Sequence, residues 1–333
     1  MQMKKRVFDI KDCGPFNRFV ANGKVIHNSG GGGINPQNLP RGGVLRQAIR
    51  APEGYCIVAC DSSQIEARTI AWVSGQVDLV AEFAAGADVY SSFASKVYGK
   101  PINKHDHPNE RHVGKTCILG LGYGTGAAKL RHSLATGLVK IDIPEAECKR
   151  IVSLYRKTYY AIPQLWRQCQ KAIEAMYNGY DAVVGGVHCR LECSGADRTI
   201  LLPNGMRLRY PDMQCHLGDK GLEYDYKKAR FRPRLYGGSM TENIIQSLAR
   251  IIVSYQMCRI AEALKRLSAK RADGKIRRVV HMVHDEVIVV VPEEEATLVR
   301  QLMERIMSQP PSWAPGLPVA CEAGVGKTYV EAK

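Results

Sequence analysis

Residues 279–291 read VVHMVHDEVIVVV, and no other stretch limits the possible folds so tightly. Two β-branched, apolar runs flank His284-Asp285-Glu286, the pattern of a buried hairpin that presents adjacent carboxylates at its turn. Carboxylates beside so much Val and Ile are paired, neutralised or bound to a cation, unless the turn lies open to water. A second acidic strand end occurs at 55–61, YCIVACD, where an apolar run meets Asp61 and passes into SSQIEAR and a helical pattern. Two acidic strand ends from distant parts of a chain can share divalent ions, as in-line phosphoryl chemistry requires.

A third element lies between them. Residues 108–124, PNERHVGKTCILGLGYG, open with Pro108 and Asn109, the latter a good N-cap, and repeat Arg111, Lys115 and Leu119 at four-residue spacing on one helical face. A helix N-terminus with Arg and Lys on one side suits a triphosphate, although a solvated basic face has the same charges. Gly114, Gly120 and Gly122 are poor helix residues, a local violation of the kind expected at functional sites.

The bulk properties agree with a polyanionic partner. The 333 residues are 45% hydrophobic and carry a formal net charge of +15, so the chain can bury one large core or two and favours nucleic acid over acidic membrane surfaces. No stretch has the length and apolarity of a bilayer span, and the N-terminus lacks a signal-peptide core, which predicts a cytoplasmic protein with no membrane partner. Eleven cysteines without a Cys-x-x-Cys pair read as reduced thiols, and Cys189, Cys193, Cys215 and His216 lack good zinc spacing.

The remaining chain fills in a mixed architecture. Gly30 to Gly33 are either a flexible linker or a close approach of backbone to ligand, followed by Gln37, Asn38, Arg41 and Arg46 as donors for phosphates and base edges. Ser63-x-x-Glu66 has the form of a capping box. Residues 82–99 predict two short helices around Gly86, and 145–178 a helical segment interrupted at Pro163. Residues 181–226 alternate as β hairpins do, and Ile244, Ile245, Leu248, Ile251, Ile252 and Tyr255 form the core stripe of a long amphipathic helix. Residues 293–307 predict a further helix, and the tail returns as a strand. Gly324-Val-Gly-Lys-Thr328 is no phosphate-binding loop: the leading glycine position is Cys321, and no helical pattern follows.

At the N-terminus, His27-Asn28 stands directly before Ser29. An Asn amide can cyclise on its own carbonyl and cut the chain, a neighbouring His can deliver the proton, and a following hydroxyl can hold an acyl group. VFDIKDCGPFNRFVANG and KVIHN before Ser resemble the last two blocks of an intein, and an initiator Met so close suggests the C-terminal fragment of a split intein. The resemblance implies that residues 1–28 are lost and that Ser29 accepts an upstream chain from a separate polypeptide.

Residues 29–331 resemble another family. DSSQIEAR, RHVGKTCILGLGYG and VHDE look like motifs A, B and C of family A DNA polymerases, in order, while QNLPR, LPNGMRLRYP, YGGSMTENIIQ and GVGKTYVEA look like its phage-type branch. The implied fold is α+β: an antiparallel-sheet palm, helical fingers inserted at about 75–235, and a short β-rich intein fragment at 1–28. The implied activity is transfer of dNTPs to a primer 3′-hydroxyl on primer-template DNA, with Asp61 and Asp285 holding two Mg²⁺ ions. Arg111 and Lys115 would grip the triphosphate and Tyr123 stack beside the nascent pair; Glu66 would be a steric gate against a ribose 2′-hydroxyl, and His284 and Glu286 would line the primer terminus. Gln64 and Arg68 complete motif A, the latter with Gln37, Asn38 and Arg41 on the DNA side. Ser62, Tyr90, Leu119 and Met282 depart from the family's common Tyr, His, Phe or Tyr, and Gln. Thumb and exonuclease motifs are absent before Ser29, so this chain is expected to need its N-terminal partner for full activity. A single-subunit RNA polymerase and a non-catalytic DNA-binding relic are the competing expectations.

Overall fold

The computed structural model describes residues 18–21, 24–27, 44–137, 139–185, 189–194, 197–218 and 221–333. They divide between two compact units, one drawn from 1–63, 250–311 and 319–333 and the other from 64–249 and 312–318. The first unit opens with β1 (Arg18–Ala21) and β2 (Lys24–His27), an antiparallel pair with Arg18 opposite His27. A short helix, α1 (Val44–Ala48), precedes β3 (Tyr55–Ser62), in which Cys56 to Cys60 are all buried. A strand so apolar on both faces belongs in the middle of a covered sheet.

The second unit is helical at its start: α2 (Ile65–Ser74), α3 (Val77–Ala84), α4 (Val89–Tyr98), α5 (Pro108–Gly120), α6 (Ala127–Thr136), α7 (Glu145–Thr158) and α8 (Ala161–Tyr177). The two helices expected around Gly86 are α3 and α4. Their neighbours α5, α7 and α8 enclose an aromatic core in which the Phe93, Tyr155 and Tyr159 rings lie within 5.7 Å of one another. Two expected boundaries shift. The α5 N-cap is His107, not Asn109, because Pro108 takes the first helical position, where its missing N–H has no partner to lose. Pro163 does not interrupt a helix; it sits in the first turn of α8 for the same reason, and the break falls just before Ala161.

The hairpin region expected at 181–226 forms two antiparallel sheets. One has the order β4 (Val183–Val184), β5 (Cys189–Ser194), β6 (Asp197–Leu201) and β7 (Arg207–Arg209). The other joins β8 (Gln214–Gly218), β9 (Gly221–Asp225) and β10 (Arg234–Leu235).

Helix α9 (Gly237–Arg271) begins in the second unit and continues in the first from Arg250. Five of the six residues expected on its apolar stripe are buried. Tyr255 is the exception, at 38% exposed, since a phenol at the edge of the stripe can keep its polar tip in water. The rest of the first unit is a sheet with one covering helix: β11 (Arg278–Val283), β12 (Glu286–Pro292), α10 (Ala296–Met307) and β13 (Cys321–Gly326), in the strand order β11-β12-β3-β13, antiparallel throughout. Val299, Met303 and Ile306 give α10 its buried face at helical spacing. Arg277, whose side chain is fully buried, is held by Glu295 at the start of α10 and by Asp273, both Asp273 oxygens lying within 2.9 Å. No helix among the described residues is long and apolar enough to cross a membrane.

Candidate active site

Strand pairing assembles the carboxylates of the first unit. The β12–β3 register sets Glu286 opposite Asp61, and β13 sets Glu322 opposite Asp61 on the other side. His284 and Asp285 form the β11–β12 turn. His284 adopts a left-handed φ of 50°, and its carbonyl accepts a hydrogen bond from Arg250 at 3.2 Å; Ser62 N–H donates to the Asp285 carbonyl at 2.9 Å. The turn is thus pinned to the end of β3, and Asp285 comes beside Asp61. Of the two carboxylates expected at the turn, only Asp285 lies there. Glu286 opens β12 and is fully buried, because its position in the pleat points into the sheet's covered side.

The electrostatics of this cluster call for a cation. Burial pushes the Asp61 carboxyl up to about 6, and neighbouring Asp285 and Glu286 add to the effect, against the lowering influence of Lys333. Glu286 Oε2 accepts a hydrogen bond from the buried Tyr329 hydroxyl at 3.3 Å and pairs with Lys333, whereas Glu286 Oε1 is buried without a hydrogen-bond partner. Lys333 Nζ also lies 3.6 Å from Asp61 Oδ1. Among the described residues no three metal-binding side chains already converge on one point. Two aspartates with surplus negative charge and an orphaned carboxylate oxygen nonetheless suit divalent ions with oxygen ligands. Gly324 and Gly326 of the rejected phosphate loop serve this arrangement. A Cβ at Gly324 would stand 2.5 Å from the Ala332 carbonyl oxygen, so glycine admits the backbone that brings Lys333 to the carboxylates.

The second unit gathers α2 and the C-terminal end of α5. The expected capping box is not made: the α2 N-cap is Gln64, in a left-handed conformation with no side-chain capping bond, and the Glu66 carboxylate accepts a hydrogen bond from the Tyr123 hydroxyl at 2.8 Å. Burial first, then the Glu66 charge, raises the Tyr123 phenol far above its ordinary range, so it acts as a donor. Tyr123 ends a 3₁₀ turn after α5, and its backbone is approached so closely by Gly238 that a Cβ there would meet Tyr123 O at 2.5 Å. Glu66, Leu119, Tyr123, Lys129, Tyr236 and Glu242 are among the residues lining a cavity of about 470 Å³, a volume in the range of small-ligand sites.

On α5, Arg111, Lys115 and Leu119 do share a face, and Lys115 and Leu119 are exposed. Arg111 is engaged: its Nε and Nη2 donate to the two Asp88 oxygens at 2.6 and 3.1 Å, and its guanidinium lies 5.3 Å from the centre of the Tyr90 ring. Burial alone would raise the Asp88 carboxyl, but hydrogen bonds from Arg111 and Ser91 hold it below its usual range. Tyr90 is 6% exposed, and burial pushes its phenol up to about 12.

Arg68 departs from the DNA-side role expected of it. It is 5% exposed, donates to the Phe83 and Pro318 carbonyls at 3.2 and 3.0 Å and to Gln64 Oε1 at 3.2 Å, and lies over the Phe83 ring. A guanidinium so enclosed braces the α2–α3 packing and holds Gln64 rather than reaching for phosphate. Gln37, Asn38, Arg41, Asn28 and Ser29 lie outside the described residues; His27 is described as the last residue of β2. Sequence reasoning missed Asp88, Glu242, Tyr329 and Lys333. Asp88 had a signal, since Asp88-x-x-Ser91 is a helix-start pattern and Ser91 Oγ does bond Asp88 at 2.7 Å.

Comparison with known proteins places this geometry. The family model for DNA polymerase family A matches residues 33–331. The DNA polymerase of Bacillus phage SP02 is 28% identical over 86% of this chain and 43% of its own length, and the thermostable DNA polymerase I of Thermus aquaticus is 27% identical over 90% of this chain and 30% of its own. The chain thus spans less than half the length of these curated relatives. The POL domain of Pol1 from M. smegmatis, solved in complex with DNA primer-template and dNTP, has a similar fold: TM-score 0.59 at 23% identity, covering 86% of this chain and 42% of that one. The chain described above belongs to DNA polymerase family A.

Proposed function

We propose that this chain carries the catalytic part of a DNA-directed DNA polymerase, a palm within residues 29–333 with fingers inserted at about 75–235. The observation that carries this is the register that sets Glu286 opposite Asp61 with Asp285 in the adjoining turn. Asp61 and Asp285 would hold two Mg²⁺ ions, which would supply Lewis-acid activation of the primer 3′-hydroxyl and charge stabilisation for the departing pyrophosphate.

The remaining steps belong to the chain's own side chains. Lys115 contacts the triphosphate, and Arg111 does so by exchanging its Asp88 partner for phosphate oxygens, an exchange between two bidentate acceptors. Asp88 thereby keeps the empty guanidinium ordered. Leu119 packs against the sugar, and Tyr123 stacks beside the nascent pair while its hydroxyl keeps Glu66 in the position where a ribose 2′-hydroxyl would fall. His284 lies toward the primer terminus. Gln64, held by Arg68, meets Tyr90 at the base of this side. Gln37, Asn38 and Arg41 contact the DNA.

We further propose that residues 1–28 are the C-terminal part of an intein. Ser29 Oγ takes the upstream acyl group as an ester from the ester or thioester on the nucleophile that opens the intein's other fragment, whose hydroxyl or thiol leaves with the proton of Ser29. The Asn28 side-chain nitrogen then attacks its own backbone carbonyl, breaking the Asn28–Ser29 bond as a succinimide forms and His27 supplies the proton. The freed Ser29 amine attacks the ester carbonyl and leaves a peptide bond. The His27-Asn28-Ser29 sequence and the preceding two-stranded pairing support this.

The test mixes the chain with the upstream intein-bearing polymerase fragment and weighs the products, then assays primer extension. A ligated product beginning upstream of Ser29, abolished by Asn28→Ala, that extends a primer with dNTPs and Mg²⁺ is the expected result. Equal use of ribonucleotides would favour an RNA polymerase instead. Salt-sensitive DNA binding without extension would indicate a non-catalytic relic.

A further inference from the structure

Lys333 sits in the carboxylate cluster as the one ammonium in contact with both Asp61 and Glu286 among the described residues, and nothing in the phosphoryl-transfer chemistry above uses it. Its two contacts are unequal. Glu286 is fully buried and holds the ammonium closely with one oxygen, the same Oε2 that accepts from Tyr329. The Asp61 side chain is 43% exposed and 3.6 Å away. The lysine is therefore anchored at the buried end and loosely engaged at the end where a metal ligand faces solvent. Its approach is built in by Gly324 and Gly326, where Cβ atoms would collide with Ala332 and Glu331.

We propose that Lys333 is the resident counter-ion of this site: its ammonium offsets part of the charge of Asp61 and Glu286 before a divalent ion arrives, and it gives up Asp61, while keeping Glu286, when the ion binds. The proposal rests on the assignment of Asp61 as a metal ligand. A buried carboxylate without a partner is strongly unfavourable, so the apo cluster needs such a charge to fold. The same charge opposes metal loading. A monovalent and a divalent cation about 4 Å apart repel enough, even at the dielectric constant of water, to weaken binding by roughly tenfold or more. Lys333 thus acts as a positioning residue that trades metal affinity for a site already ordered without metal.

The experiment is a titration of the full chain with Mn²⁺, followed by electron paramagnetic resonance, without DNA or nucleotide. Wild type, Lys333→Met, Lys333→Arg and Asp61→Asn are compared. The expected result is binding about tenfold tighter in Lys333→Met, near wild type in Lys333→Arg, and weakened in Asp61→Asn. Unchanged or weaker binding in Lys333→Met, with Asp61→Asn still impaired, overturns the counter-ion role alone. Asp61→Asn binding as wild type does overturns the metal assignment beneath it. Should Lys333→Met fail to fold, acetic anhydride labelling of wild type decides: Mn²⁺ should raise Lys333 acetylation several-fold, and no change refutes the displacement.

Discussion

Gly114 offers a sharp quantitative test, because two opposing effects of adding one methyl group can be weighed from the structure. Alanine is the better helix former by about 1 kcal/mol, so propensity alone predicts that Gly114→Ala stabilises α5. The packing says otherwise. A Cβ at Gly114 would lie 2.1 Å from the Tyr90 carbonyl oxygen and 3.1 Å from Ala94 Cβ, so α4 and α5 would have to part by more than an ångström. The obstacle is backbone, which cannot rotate aside, and overpacking of this kind costs about 1–3 kcal/mol or more. The balance is a net loss of about 2 kcal/mol, since a rigid obstacle puts the packing term at the top of its range. Gly120→Ala is the control: it lies in the same helix with right-handed backbone angles and no atom within 4 Å of a built Cβ. It should gain about 0.5–1 kcal/mol. Urea unfolding of both variants measures the difference. A Gly114→Ala protein as stable as Gly120→Ala would refute the reasoning, and with it the close α4–α5 approach that sets Arg111 over Tyr90.

Glu295→Ala removes the buried partner of Arg277, which keeps Asp273, and should destabilise the first unit by about 1.5–3 kcal/mol, the range for lost hydrogen bonds to a charged group, read by the same unfolding assay; a loss below about 1 kcal/mol would mean that the pair is hydrated. The companion bond is acid-sensitive: hydrogen bonds from Arg277 hold the Asp273 carboxyl well below its ordinary range, so its contribution is complete above that range and disappears as pH falls through the depressed value. The Cys321 thiol is held below its ordinary value by its hydrogen bond with Cys60 and a further one with Ser308, while burial pushes Cys117 up to about 12 and Cys169 to about 11. Iodoacetamide labelling followed by mass spectrometry should therefore show Cys321 reacting at lower pH than Cys117 and Cys169, with a midpoint below about 8.5, the ordinary thiol value; a midpoint above it contradicts the assignment. Leu119, 41% exposed on the Arg111 and Lys115 face, should make the spliced enzyme prefer deoxy- over dideoxynucleotides in competitive primer extension; equal use would show that it does not touch the sugar.

The sheet that carries Asp61 and Asp285 was largely legible because its signal is local. Continuous β-branched, apolar runs specify a strand pair, and a polar interruption between them marks the turn, so β11, β12 and Asp285 followed from composition. The same pattern could not distinguish the turn residue Asp285 from Glu286, one step on and buried. Propensity rules placed Asn109 as a cap and Pro163 as a break, whereas the first helical turn tolerates proline at both sites. Glu66 satisfied the spacing of a capping box but meets Tyr123, a partner 57 residues away, and Arg68 looked like a DNA contact but is enclosed by Phe83 and Pro318. Such partners arise from tertiary packing, which single-sequence patterns do not encode. Lys333 was invisible for the same reason: its role depends on glycines in β13 that had drawn notice only as a false phosphate loop.

The most direct test of the catalytic assignment is Mg²⁺-dependent incorporation of a single dNMP into a primer-template by the spliced protein, in wild type and in Asp61→Asn and Asp285→Asn. Incorporation by wild type that falls by roughly a thousandfold in each variant, as for loss of a principal electrostatic stabiliser, is the expected result. Incorporation that survives either substitution would show that the β3 end and the β11–β12 turn are not where the phosphoryl group is transferred.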